Sequence, residues 1–77
     1  KDPKTRLQEY QQAQRSSLPK YTVLSVEGPT NEQVFTIECV IPEQADAVVA
    51  IGGSRRAAEQ AAAQQMLLNL GIHGEEE

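Results

Sequence analysis

Two adjacent arginines are the side chains whose position most suggests ligand binding. Arg55 and Arg56 follow Gly52-Gly53-Ser54, and serine favours the N-terminal cap of a helix. Cations in the first turn of a helix oppose the positive end of its macrodipole, so this placement lowers helix stability. The unpaired backbone N–H groups and the two guanidinium groups would together form an anion site, with phosphate as the obvious anion. Two solvated arginines, paired with Glu59, are the alternative, and the sequence leaves both interpretations open.

A second group of polar side chains shares one face of a predicted helix near the N-terminus. Its members are Thr5, Gln8, Glu9 and Gln12. Amides and hydroxyls both donate and accept hydrogen bonds, which suits a surface rich in ribose 2′-hydroxyls. A glutamine-rich helix face is also common on proteins that bind nothing there. Composition therefore does not decide between a binding face and ordinary solvent-exposed surface.

The residue types that usually carry catalysis are few and scattered. Cys39 falls on the apolar face of a predicted strand, where cysteine is normally a small core residue. His73 lies between two glycines after the last predicted helix, and nothing in the sequence places a partner group beside it. Gly52-Gly53-Ser54 lacks the lysine and the spacing of a phosphate-binding P-loop. We therefore predict no catalytic residue, no metal site and no cofactor in this chain.

Length and charge limit the protein further. The 77 residues suffice for one small domain with a modest core, and they leave no room for an enclosed active-site cleft. The net charge is −4, but Glu75 to Glu77 form a terminal run, so we predict a solvated, disordered tail over residues 73–77. No apolar run approaches the length of about 18 residues that a membrane span needs. The lone cysteine and the lack of an export signal favour the cytoplasm.

Periodicity and turn residues predict five elements over residues 1–72. They are a helix over 2–15, strands over 20–27, 33–41 and 47–51, and a helix over 55–70. Asp2 and Pro3 suit the start of the first helix, and Gly71 suits the end of the second. The short loops favour an antiparallel three-stranded sheet in an α+β fold of order α-β-β-β-α, with both helices on one face. The predicted core comprises Leu7, Tyr10, Phe35, Ile37, Ala58, Ala62, Met66 and Leu67.

Several motifs, in this order and at this spacing, resemble a double-stranded RNA-binding domain over about residues 2–70. They are DPKTRLQE over 2–9, PKY over 19–21, GP at 28–29 ahead of Phe35, and GGSRRAAEQAAA over 52–63. The first and last of them are most similar to the C-terminal domain of bacterial ribonuclease III. The family fold is α-β-β-β-α with both helices on one sheet face, which agrees with the elements predicted above.

The resemblance implies three RNA contacts that together span about 16 base pairs and read A-form shape rather than sequence. The first helix would enter one minor groove, the loop after the first strand would enter the next, and the start of the last helix would bind phosphates across the intervening major groove. The implied RNA-binding residues are Thr5, Gln8, Glu9 and Gln12 in the first helix, Pro29, Thr30 and Asn31 in the loop, and Ser54, Arg55 and Arg56 at the last helix.

Two residues depart from the family pattern. Asn31 stands where the loop commonly carries a histidine, and Glu59 stands where many members carry a third lysine, although glutamate is usual in the ribonuclease III branch. The basic cluster is therefore thin, and we expect weak binding by the isolated domain with a shallow salt dependence.

The resemblance also implies a larger context. The chain would serve as the RNA-binding module of a ribonuclease III that processes ribosomal and messenger RNA precursors. The catalytic domain would lie outside this chain, use magnesium and form a homodimer, so this chain by itself is not expected to cleave RNA. The alternative is a protein-interaction module of the same fold with little RNA binding, which the acidic net charge and the missing loop histidine motivate.

Overall fold

A computed structural model describes residues 1–72, so the acidic tail predicted over residues 73–77 lies outside the described residues. The elements are α1 (Pro3–Ala13), β1 (Lys20–Glu27), a 3₁₀ turn (Thr30–Glu32), β2 (Val34–Val40), β3 (Val48–Gly52) and α2 (Arg55–Asn69). The predicted order is confirmed, and β1 has the predicted bounds. The short 3₁₀ turn was not anticipated from the sequence.

The three strands form one antiparallel sheet in the order β1-β2-β3. Alternation in β2 sends Ile37 and Cys39 to the inner face, where both are fully buried. The β1–β2 register shifts between Val23 and Ser25, which marks a β-bulge. Beyond the bulge, Val26 pairs with Phe35, close to the loop that joins the two strands.

Both helices lie on the inner side of the sheet, as predicted. Helix α2 packs on β2 and β3, whereas α1 packs mainly against α2. Small side chains on α2, such as Ala58 and Ala62, allow this close approach, and both are fully buried. The buried hydrophobic residues form one cluster, which comprises Leu7, Ile37, Cys39, Ile41, Val48, Ala58, Ala62, Ala63, Met66 and Leu67.

The predicted core is largely correct, with two differences. Phe35 is only half-buried, although it packs against the cluster. Tyr10 is also half-buried and is not part of the cluster, so its assignment to the core was wrong. Gln11 takes the buried place on α1 because it lies a full turn after Leu7. Its Nε2 donates to the backbone oxygen of Ser17 at 2.9 Å, which satisfies the buried amide.

Helix α1 ends two residues earlier than predicted. Arg15 adopts a left-handed conformation with φ of 57°, and the N–H groups of Arg15 and Ser16 bond back to Gln12 and Gln11. These two bonds form a Schellman motif, which satisfies the last carbonyls of the helix. Helix α2 ends in the same way at Gly71, where the sequence predicted the stop.

Candidate nucleic-acid interface

The start of α2 is fixed by a cap and by close contact with the end of β3. The Ser54 hydroxyl accepts a hydrogen bond from the Ala57 N–H at 3.1 Å, as the sequence predicted. A Cβ atom on Gly52 would lie 2.5 Å from the Ala58 nitrogen. Only glycine therefore lets β3 come this close to the first turn of α2, and that approach sets the position of Arg55 and Arg56.

The two arginines differ in how they are held. Arg55 donates from Nε to Glu59 Oε2 at 3.0 Å, and its side chain remains 62% exposed. Arg56 is 82% exposed, and its nearest carboxylate oxygen is Asp2 Oδ2 at 3.9 Å from Nη2. The pairing with Glu59 that was considered for these arginines therefore holds for Arg55. Both guanidinium groups still present nitrogen donors to solvent.

Glu59 connects the two helices at this point. Its side chain is only 12% exposed, and Oε1 accepts from Lys4 Nζ at 2.6 Å while Oε2 accepts from Arg55. Burial alone would raise the pKa of Glu59, but the hydrogen bonds and charges of Lys4 and Arg55 outweigh it and lower that pKa. Lys4 also lies over the ring of Tyr21, with Nζ 5.0 Å from the ring centre.

A second set of hydrogen bonds joins the two helix N-termini. Asp2 caps α1, because Oδ1 accepts from the Thr5 N–H at 2.8 Å, and this bond lowers the pKa of Asp2. Gln60 bridges from α2, because Oε1 accepts from the Lys4 N–H at 3.0 Å and Nε2 donates to Asp2 Oδ2 at 3.1 Å. The first turn of α1 therefore lies beside the first two turns of α2.

The polar face of α1 is exposed, as the predicted minor-groove contact requires. Its four members are Thr5, Gln8, Glu9 and Gln12. Glu9 accepts from Lys1 Nζ at 2.8 Å, in an ion pair whose two side chains are both more than half exposed.

A small open pocket of about 120 Å³ adjoins this face. Its lining residues are Lys4, Gln8, Leu18, Pro19 and Tyr21. Gln8 therefore borders a concave surface instead of standing alone on the helix.

The loop between β1 and β2 presents the third group of predicted residues. Gly28 has φ of +97°, and a Cβ there would lie 2.5 Å from the Glu32 carbonyl oxygen. Pro29, Thr30 and Asn31 follow and are exposed.

The sheet register relates this loop to α2. Phe35 pairs with Gly52, and the β1–β2 loop begins just beyond that level of the sheet. The loop and the first turn of α2 therefore lie at the same end of the sheet, and hydrogen bonds of Gln60 with Asp2 and Lys4 join the start of α2 to α1.

Sequence analysis missed the residues that join the α1 face to the start of α2. It selected Arg55 and Arg56 from local patterns but gave Lys4 and Gln60 no role. Lys4 contacts Glu59, which lies 55 positions further along the chain, and Gln60, which lies 56 positions further along. No periodicity within one helix could have revealed these contacts. The available signal was that Lys4 falls within the N-terminal motif over 2–9 and Gln60 within the motif over 52–63.

Residues 1–72 show no group of three or more histidine, cysteine or acidic side chains that could hold a metal ion. Cys39 is buried in the core, and burial raises the pKa of its thiol. No helix within residues 1–72 is long and apolar enough to cross a membrane.

Comparison with known proteins identifies the family. The family model described as "Double-stranded RNA binding motif" matches residues 3–70. The chain belongs to this family. Among solved structures, this double-stranded RNA-binding domain is similar to one from Arabidopsis HYL1, described for its implications for miRNA processing. The two share 32% identity and a TM-score of 0.76, over 90% of this chain and 96% of that one.

Curated relatives show which branch of the family the domain resembles. It is 55% identical over 67 residues to Ribonuclease 3 of Shewanella amazonensis, covering 87% of this chain and 30% of the relative. It is 53% identical over 72 residues to the Ribonuclease 3 proteins of Mannheimia succiniciproducens and Hahella chejuensis, covering 94% of this chain and 32% of each relative. The chain thus spans about a third of the length of these relatives. These findings do not favour the protein-interaction alternative.

Proposed function

We propose that this domain binds an A-form RNA duplex through three surfaces and serves as the RNA-binding module of a ribonuclease III. The observation that carries the proposal is that the first turn of α1 lies beside the first two turns of α2, where Asp2, Lys4 and Gln60 hold them together. This arrangement places a hydrogen-bonding face of amides, a hydroxyl and one carboxylate next to a cationic one. A duplex with 2′-hydroxyls in its minor groove and phosphates along its edges needs both.

The α1 face is suited to the minor groove. Thr5, Gln8 and Gln12 offer hydroxyl and amide groups that both donate and accept, and a 2′-hydroxyl can pair with either kind of group. Glu9 accepts hydrogen bonds at either carboxylate oxygen, so it can receive one from a 2′-hydroxyl beside the bond from Lys1 Nζ to Oε1. DNA lacks this hydroxyl, so the face gives the domain its preference for RNA.

The first turn of α2 is suited to phosphate. Arg55 and Arg56 provide exposed guanidinium groups, and the helix N-terminus adds its positive dipole end and the Ser54 hydroxyl. Such charge-assisted bonds to phosphate position the protein on the duplex without reading its sequence. Pro29, Thr30 and Asn31 leave the same end of the sheet and would enter the next minor groove.

The similarity to Ribonuclease 3 proteins supports a proposal about the larger context. Identity of 50–55% to Ribonuclease 3 proteins supports a parent protein of that kind. In that parent, the remaining two thirds would cleave double-stranded RNA with magnesium and act as a homodimer in the cytoplasm on ribosomal and messenger RNA precursors. The domain described here would hold the duplex, and it would need no cofactor to do so.

Titration with matched nucleic acids tests the proposed function. A duplex RNA of about 20 base pairs accommodates one footprint of about 16 base pairs. The matching DNA duplex and the single RNA strand are the comparison ligands, each at low and moderate salt. We expect binding to the RNA duplex to exceed binding to both comparison ligands. Equal affinity for all three, or no binding at low salt, would refute shape-selective recognition.

A further inference from the structure

Glu59 is the one charged side chain that is buried within residues 1–72, and it lies next to the proposed phosphate site. Judged by charge alone, a carboxylate at this position should weaken RNA binding, because it opposes the approach of phosphate. Its geometry indicates a different role. Each of its two oxygens accepts a hydrogen bond from a cation on a different helix, Lys4 on α1 and Arg55 on α2.

The contact with Arg55 leaves the outward-facing donors of that side chain available. Arg55 uses Nε for Glu59, and its two terminal nitrogens are not engaged by this bond. A guanidinium group held at Nε has a defined plane, and phosphate is bound best by such a planar, preorganised pair of donors. A free arginine at a helix terminus would lose more side-chain entropy when it binds.

The contact with Lys4 joins the same carboxylate to the other RNA-facing helix. Lys4 is held by Glu59 and lies over Tyr21, and its backbone N–H donates to Gln60. The Glu59 carboxylate therefore contacts Arg55 directly and, through Lys4, adds to the Gln60 hydrogen bonds that join the two helix N-termini.

We infer that Glu59 is a positioning residue for RNA binding, which holds the Arg55 guanidinium ready for phosphate and fixes α1 relative to α2. The inference rests on the proposed function and adds a residue to it. It also reverses the expectation that glutamate at this position only weakens the basic cluster. Removal of the Glu59 charge distinguishes the two hypotheses. If Glu59 only repels phosphate, its removal should tighten RNA binding. If Glu59 positions Arg55, its removal should weaken RNA binding.

Three substitutions test the inference in the full chain with the RNA duplex of about 20 base pairs. Glu59→Gln removes the charge with little change in shape, whereas Glu59→Asp keeps the charge but shortens the reach to both cations. Glu38→Gln is the matched control, because Glu38 lies on β2 between two buried neighbours and faces the opposite side of the sheet. We expect both Glu59 variants to bind about 2- to 12-fold more weakly, which is the cost of ordering one arginine side chain. We expect Glu38→Gln to bind as the wild type does.

A double-mutant cycle distinguishes positioning from general destabilisation. If Glu59 acts mainly through Arg55, Glu59→Gln should weaken binding in the wild type and have a much smaller effect in Arg55→Ala. Urea unfolding in the binding buffer confirms that each variant is folded. Equal weakening in both backgrounds would overturn the role of Glu59 in holding Arg55, and a folded Glu59→Asp that binds as tightly as the wild type would overturn the whole inference.

The proposed function has a separate control in Arg56→Ala. If the wild type binds the duplex and Arg56→Ala weakens binding while both Glu59 variants do not, the positioning role is wrong and the proposed function stands. If the wild type does not bind the duplex at all, both are wrong.

Discussion

Arg56 is the most direct probe of the proposed phosphate contact. Its side chain is 82% exposed and has only a 3.9 Å contact with Asp2, so Arg56→Ala removes little from the folded protein. Exposed ion pairs contribute about 0–1 kcal/mol, and replacement of a first-turn cation by alanine favours the helix. We therefore expect the free energy of unfolding to change by no more than about 0.5 kcal/mol.

The effect of Arg56→Ala on RNA binding should be much larger. A hydrogen bond to a charged group contributes about 1.5–3 kcal/mol, which corresponds to about 10- to 150-fold in the dissociation constant. Loss of one phosphate contact should also reduce the slope of log affinity against log salt by about 0.9, the value for duplex DNA. Fluorescence anisotropy with a labelled RNA duplex over a range of potassium chloride concentrations measures both quantities.

Lys20→Ala is the matched control for this experiment. It removes the same charge from the exposed start of β1, which pairs with the end of β2 at the other end of the sheet. We expect Lys20→Ala to change affinity less than about twofold, as for a cation that neutralises no phosphate. If Arg56→Ala and Lys20→Ala have the same affinity and the same salt slope, the first turn of α2 does not bind phosphate.

Three further perturbations test the scaffold that positions these groups. Gly52→Ala should lower the free energy of unfolding by about 1–3 kcal/mol, because the new Cβ overpacks against α2. Gly53→Ala has open space at its Cβ, so it should leave the free energy of unfolding unchanged or raise it by about 0.4–1 kcal/mol. Equal effects of the two substitutions in urea unfolding would contradict this. Gly28→Ala should cost at least about 1–2 kcal/mol, because φ is +97° and the new Cβ meets a backbone oxygen; unchanged unfolding would show that the turn relaxes freely. Because the pKa of Glu59 is lowered in the folded state, its ion pairs should stabilise the fold fully above its ordinary pKa of 4.5 and lose this effect as pH falls through the folded-state pKa. The wild type should therefore lose more stability on acidification than Glu59→Gln. Parallel profiles of unfolding free energy against pH would exclude this contribution.

The elements could be predicted because their signals are local. The caps at Asp2 and Ser54 and the stop at Gly71 all stand where the structure has them. The end of α1 was harder, because Arg15 takes a left-handed conformation that the sequence does not favour. Tyr10 was placed in the core because it lies three residues after Leu7, but Gln11, four residues after Leu7, is the buried residue.

The candidate site was predictable only in its separate parts. Arg55 and Arg56 were found from their place in the first turn of a helix, and the α1 face was found from its amides. What joins these parts is a set of contacts between Asp2, Lys4 and the first two turns of α2, across more than 50 positions of chain. Local patterns cannot specify such contacts, because they depend on how the helices pack.

Glu59 shows why this difference matters for function. The sequence alone shows only a negative charge close to Arg55 and Arg56, which suggests weaker binding of phosphate. In the fold, it is mostly buried, and its two oxygens bind Arg55 of the proposed phosphate site and Lys4 of the helix that carries the proposed minor-groove face. A buried carboxylate with two good partners specifies one arrangement of its neighbours, because a change in that arrangement would leave a buried charge unpaired. The same residue therefore has opposite expected effects on RNA binding, depending on whether its charge or its contacts are considered.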